Sequence, residues 1–166
     1  MKTHSLKLGE LLNLEAELVG IINNQTGQKI TEGLLSQDIP LIDKYFLDSL
    51  VVELNKEKKS LEAFREELIK KHGEADDNGN IGISMFLETG EVDAEGNPQR
   101  QINPKYVEFN DAWQKLLSQE KKMELYNFPL SNLEGIKTKE SYPLVFRYLV
   151  EKPKSYIEEI TVEEVK

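Results

Sequence analysis

The feature that most constrains this chain is an uninterrupted helical run from Leu41 to His72, which contains neither Gly nor Pro and is bounded by Pro40 and Gly73. Asp38-Ile39-Pro40 makes a good helix start, because the missing N–H of a proline would be unpaired in a first turn anyway. Gly73 suits a left-handed cap at the other end. At roughly 1.5 Å per residue the run spans about 48 Å. Leu50, Leu54, Glu57, Leu61, Phe64 and Leu68 recur in alternating four- and three-residue steps, the seam of a coiled-coil-like packing with one polar step. Glu53, Lys56, Lys59, Glu66 and Lys70 give the opposite face a solvated chemistry. A helix of this length needs a partner helix along its seam.

The natural partner lies further along. Asn103-Pro104 repeats the cap-plus-proline start, and the spacing predicts a third helix from Lys105 to about Glu124, with Tyr106, Phe109, Trp113, Leu116, Leu117 and Glu120 inward. Between the two helices, Glu74 to Asn80 reads as a turn, Ile81, Ile83 and Met85 alternate as a strand would, and Gln99 to Ile102 returns as its paired strand. Before the long helix, Leu6 to Ile22 shows helical periodicity through Leu8, Leu11, Leu12, Leu18, Val19 and Ile22, and Gln28 to Leu35 fits a strand or a brief helical turn equally well. Phe128-Pro129-Leu130 is extended, and Ser141-Tyr142-Pro143 opens a short helix, Leu144 to Val150. The expected architecture is therefore mainly α: an antiparallel long-helix hairpin with a small β-hairpin tip, an N-terminal helix and a short C-terminal helix. Its regions are 1–36 (helix and connector), 37–150 (hairpin, tip at about 74–102, final helix) and 151–166 (acidic tail).

Composition excludes several functions. The 166 residues hold 21 Lys+Arg against 30 Asp+Glu, a net charge of −9. Tight nucleic-acid binding needs clustered basic residues to displace phosphate counterions, and here the basic runs Lys56 to Lys59 and Lys70 to His72 contain acids or are followed by them. The absence of cysteine removes disulfides, thiolate nucleophiles and cysteine-based metal sites. No apolar run approaches the roughly 18 residues that span a bilayer. The first residues, with Glu10, Glu15 and Glu17 close behind, do not read as a signal peptide.

The candidate chemistry is thin. With Glu74 as the first position of a calcium loop, Asp76, Asn78, Gly79 and Ile81 fall where ligands, turn glycine and apolar residue belong, but Met85 stands where the bidentate carboxylate should be. An ordinary Asp-Asn-Gly turn explains the same residues. His4 and His72 lie far apart, and His72 beside Lys70 and Lys71 fits compensation of a helix dipole. Gly79-Asn80-Ile81-Gly82 lacks the lysine and strand–loop–helix order of a phosphate loop. No catalytic residue, metal ligand or cofactor is expected, and the chain is read as not an enzyme.

One stretch has a familiar order. Glu62-Ala63-Phe64-Arg65-Glu66-Glu67-Leu68-Ile69-Lys70-Lys71-His72-Gly73 leads into Asp76-Asp77-Asn78-Gly79-Asn80. Asn103-Pro104, Phe109-Asn110-Asp111-Ala112-Trp113-Gln114-Lys115-Leu116-Leu117 and Phe128-Pro129-Leu130-Ser131-Asn132-Leu133-Glu134-Gly135-Ile136 follow. Over residues 45–150 this resembles a group of small, mostly uncharacterised helical-hairpin proteins encoded by tailed bacteriophages. The extended tip, Met85 to Arg100, and the acidic tail depart from the shorter members. The resemblance implies a phage origin and no catalytic residues. With the long two-sided helix and the alternating apolar residues Ile160, Val162 and Val165 of the acidic tail, the expectation is a non-enzymatic structural or assembly component of a phage particle, multimeric within a larger assembly. It would be found in the virion and, during assembly, in the host cytoplasm. Its partners would be other phage structural proteins, with no direct nucleic-acid or membrane contact. The alternative is a small phage protein that binds and inhibits a host factor, its negative charge steering it to a basic patch. Three regions are the candidate partner contacts. They are the N-terminal helix face at Leu11, Leu14 and Leu18, the tip from Glu88 to Arg100, and the tail at Tyr156, Ile160 and Val162, whose alternating apolar residues suit strand addition.

Overall fold

The computed structural model of the chain describes residues 1–23, 25–92, 94, 96–136 and 142–151. The described residues are about 50% helix and 27% strand, with several small sheets and one long helix among four, so the expected mainly-α long hairpin is not the fold. In chain order the elements are β1 (Lys2–Lys7), α1 (Leu8–Val19), β2 (Gly20–Ile22), β3 (Lys29–Glu32), α2 (Leu41–His72), β4 (Glu74–Ala75), β5 (Ile81–Gly82), β6 (Phe86–Val92), β7 (Pro98–Ile102), α3 (Pro104–Leu117), β8 (Glu120–Leu125), β9 (Phe128–Pro129), α4 (Pro143–Tyr148) and β10 (Val150–Glu151). The strands pair in twos: β1 with β8, β2 with β3, β4 with β5, β6 with β7, and β10 with β9. Two compact units result, Met1–Glu57 with Glu120–Lys166, and Lys58–Gln119.

In the first unit, α1 is shorter than its periodicity suggests because Leu6 belongs to β1 and Gly20 breaks the helix. Gly20 has φ +90° and leaves no room for a side chain, since a Cβ there would meet the Thr31 carbonyl oxygen at 2.6 Å and the Gly33 nitrogen at 2.7 Å. Only glycine combines that dihedral with that approach. Lys7 N–H donates to the Glu10 carboxylate at 2.9 Å and closes the first turn of α1. Leu11, Leu14 and Leu18 then meet Leu34, Leu47, Leu54 and Leu125 in one core, all buried. Truncating any of them to Ala would cost about 2–5 kcal/mol.

The largest local misreading is the end of the third helix. The apolar step changes from three or four residues to two after Leu117, and Met123 and Leu125 are buried alternately with exposed Lys122 and Glu124. That segment is β8. It lies antiparallel to β1, with His4 opposite Met123 and Lys2 opposite Leu125. A partner more than a hundred residues away overrides the local helical signal.

The long helix is as expected, 32 residues from Leu41 to His72. Leu50, Leu54, Leu61 and Leu68 are buried, whereas Phe64 is 42% exposed. The seam is not a coiled coil. Its first part packs in the first unit, its last part in the second, and α3 has only 14 residues with which to cover it. In the second unit Leu61, Leu68 and Phe109 are buried, and the Arg65 guanidinium lies 6.0 Å from the centre of the Phe109 ring. Tyr106 and Trp113 are half-buried on the same helix, a packing stripe. Gly73 is not left-handed. It is required by space, because a Cβ there would sit 2.6 Å from the Gly82 carbonyl oxygen.

Candidate functional site

The second unit carries two hairpins where one was expected. The first, β4–β5, is closed by Asp76, whose carboxylate accepts from Asn78 N–H at 2.9 Å and from Asn80 N–H at 2.8 Å. These hydrogen bonds, Asn80 first, hold the Asp76 carboxyl below its ordinary range. Glu74, at the first position of the calcium-loop reading, instead receives Lys105 Nζ at 2.7 Å, which lowers its pKa. Asn103 is buried: its Nδ2 donates to the Ser84 carbonyl at 2.9 Å, and its Oδ1 caps α3 by accepting from Lys105 N–H at 3.0 Å. His72 Nδ1 faces Glu108 at 3.3 Å. These groups border a hollow of about 470 Å³. Each of these groups is engaged in a turn, a cap or a pair. Among the described residues no group of three or more His, Cys, Asp or Glu is placed to hold a metal ion.

The second hairpin, β6–β7, is different. Phe86 pairs with Ile102, Leu87 with Gln101, and Glu88 with Arg100, before the register shifts toward Val92 opposite Pro98. Residues opposite one another share a face, and so do residues two apart. Phe86, Glu88, Arg100 and Ile102 therefore form one face, and Leu87 lies on the other, half-buried beside the hollow. The first face is open: Phe86 is 47% and Ile102 58% exposed, and Val92, further along β6, is 63% exposed. Glu88 and Arg100 stand 4.0 Å apart, both more than half exposed. The two tip residues singled out from sequence are thus cross-strand partners, and the apolar pair Phe86 and Ile102 flanks them. Sequence reading missed that flank because its strand pairing was displaced by one hairpin. The pattern of large apolar residues two apart from Glu88 and Arg100 was the available signal.

The other predicted contacts fare differently. Leu11, Leu14 and Leu18 are at most 1% exposed. They are corrected from a contact face to core, because the amphipathic stripe of α1 packs on its own unit. Tyr156, Ile160 and Val162 lie outside the described residues.

Two acids organise the first unit, buried Asp43 and half-buried Glu17. Asp43, 1% exposed, accepts from Tyr126 Oη at 2.8 Å and from Asn132 Nδ2 at 2.6 Å. The Asp43 carboxylate pushes the Tyr126 phenol above its usual range, and the Phe46 ring stacks on it at 4.3 Å. Glu17 accepts the N–H groups of Leu144 and Val145, each at 2.9 Å, and so caps α4. Burial raises its pKa against the pull of those donors. Both acids tie distant segments together. Among the described residues no helix is long and apolar enough to cross a membrane. Comparison with known proteins leaves the site to its own geometry: no family model, no curated protein and no solved structure matches the chain.

Proposed function

We propose that the chain works without catalysis, as a structural or assembly component of a tailed-bacteriophage particle that docks on neighbouring proteins through the open face of β6–β7. The phage context comes from the resemblance over residues 45–150. The docking mode is supported by one observation above others: a two-stranded hairpin exposing Phe86, Val92 and Ile102. An isolated two-stranded hairpin is only marginally stable in water, and a third strand or a packed surface completes it. Covering three half-exposed apolar side chains contributes about 1 kcal/mol each. A single copy would then bind weakly, and many copies held together in a particle would bind well. The acidic character of the tip, with Glu88, Glu91, Asp93 and Glu95 against Arg100, favours a partner segment that is basic as well as apolar. In this reading the partners are other phage structural proteins, met in the host cytoplasm during assembly and retained in the virion.

Mass spectrometry of purified particles tests the reading, with F86S/I102S as the perturbation. The expected result is the protein at fixed stoichiometry in wild-type particles and strong loss of the variant from them. Absence from particles, combined with salt-sensitive capture of one basic host protein, would replace it with the host-inhibitor alternative.

A further inference from the structure

A second open apolar surface lies on the first unit, at the start of α2. Leu41 is 83%, Tyr45 66% and Val52 57% exposed, with Ile42 at 56% beside them. Leu41, Tyr45, Asp48 and Val52 follow steps of four, three and four residues. At about 100° per residue this is one stripe, on the side of the helix opposite buried Asp43, Leu47, Leu50 and Leu54. The helix thus carries two seams, one filled by its own core and one open. Asp48 is the polar step of the open seam, and Lys44 lies one turn before it. Among the described residues neither has an ion-pair partner, and the Tyr45 hydroxyl has no hydrogen-bond partner.

We propose that a second copy of this chain occupies the open seam, its α2 antiparallel to the first about a two-fold axis near Phe46 and Leu47. The argument is self-complementarity. A spacing of four, three and four reads the same in reverse, so an antiparallel copy places Leu41 against Val52 and Tyr45 against Asp48, layer on layer. A two-fold axis keeps each flank with its own kind, and so Lys44 of one copy falls beside Asp48 of the other, twice. Asp48 then gains an ammonium and a phenol where it would otherwise be covered without a partner, which is what a carboxylate at an interface requires. Parallel docking would stack Asp48 on Asp48. Four side chains per copy fall short of the roughly 800 Å² per partner of a standard interface. Self-association is therefore weak and depends on concentration, which suits a molecule concentrated by assembly.

Sedimentation velocity on the full chain across roughly 1–500 µM, the range a sub-standard interface calls for, tests this. The mass is expected to rise from 19.1 kDa toward twice that value. D48K should weaken association at least about tenfold, and K44D/D48K, which swaps both charges, should restore it. L41S/V52S should abolish it while circular dichroism stays native, since both positions are exposed. F86S, on the other unit, should leave it unchanged, so failure here is separable from failure of the hairpin reading. A monomer at every concentration overturns the proposal, as does a dimer indifferent to D48K or one lost in F86S.

Discussion

Replacing Asp43 is the sharpest test of how the first unit is held together. The side chain is 1% exposed and receives Tyr126 Oη at 2.8 Å and Asn132 Nδ2 at 2.6 Å, from residues far along the chain. In Asp43→Ala both donors lose their acceptor. Hydrogen bonds to a charged group contribute about 1.5–3 kcal/mol each, so their loss alone costs roughly 3–6 kcal/mol. Relief of the desolvated carboxylate offsets part of this, leaving about 3 kcal/mol. For a chain of this size that is a fall in Tm of about 6–12 °C. Asp43→Asn keeps one acceptor oxygen and should lose about half as much. Tyr126→Phe removes one donor and should cost about 1–2 kcal/mol, and the double variant D43N/Y126F should be non-additive by about 1 kcal/mol. Circular-dichroism melts with urea titrations at neutral pH read all four. A fall of less than about 2 °C in Asp43→Ala, within the scatter of ordinary surface changes, would refute the network, as would strict additivity.

Further outcomes follow from other sites. Gly20→Ala should destabilise by about 2–3 kcal/mol because it meets both the left-handed φ and the Thr31 carbonyl, whereas Gly79→Ala, left-handed with open space around it, should cost only about 1 kcal/mol; equal Tm shifts would contradict the close approach. Burial, and secondarily Lys2, lowers the His4 pKa in the folded state. The unfolded chain then takes up the proton first, so the contribution of His4 is full above about pH 6.5 and is lost as pH falls below it. A His4→Phe variant should show a flatter Tm between pH 7.5 and 5.5, roughly the window of an ordinary histidine; an unchanged slope would remove His4 from the account. Glu17 has the opposite sign, because its raised pKa makes folding less favourable as pH rises above its ordinary 4.5. Glu17→Gln should remove that loss, read in the same melts. Amides of β6–β7 should exchange faster than those of β1–β8, and comparable protection would mean the hairpin needs no partner.

The long helix was legible because its evidence is local: a Gly-free and Pro-free run, Pro40 before it, Gly73 after it and a repeating apolar seam. The front of that seam, Asp43 and Leu47, continues the same steps backward from Leu50, yet an acid in the stripe conceals it until Tyr126 and Asn132 are seen to satisfy it. β8 was illegible for a different reason. Glu120 to Leu125 is a continuation of a helix by local preference, and only pairing with β1 makes it a strand. The tip shows an intermediate case. Glu88 and Arg100 were identifiable by composition, but their register, and with it the Phe86 and Ile102 flank, depends on which strand pairs with which. The stripe of α1 cannot reveal from sequence whether it faces a core or a partner, since both demand Leu11, Leu14 and Leu18.

The central claim is that the open face of β6–β7 is where this molecule meets other proteins. Its most direct measurement is photo-crosslinking in the producing cells from a photoreactive side chain placed at Phe86, with the exposed Lys59 as the reference position. The account predicts one dominant adduct from Phe86, to a protein of the particle, and none from Lys59. Equal and diffuse labelling from both positions would contradict it.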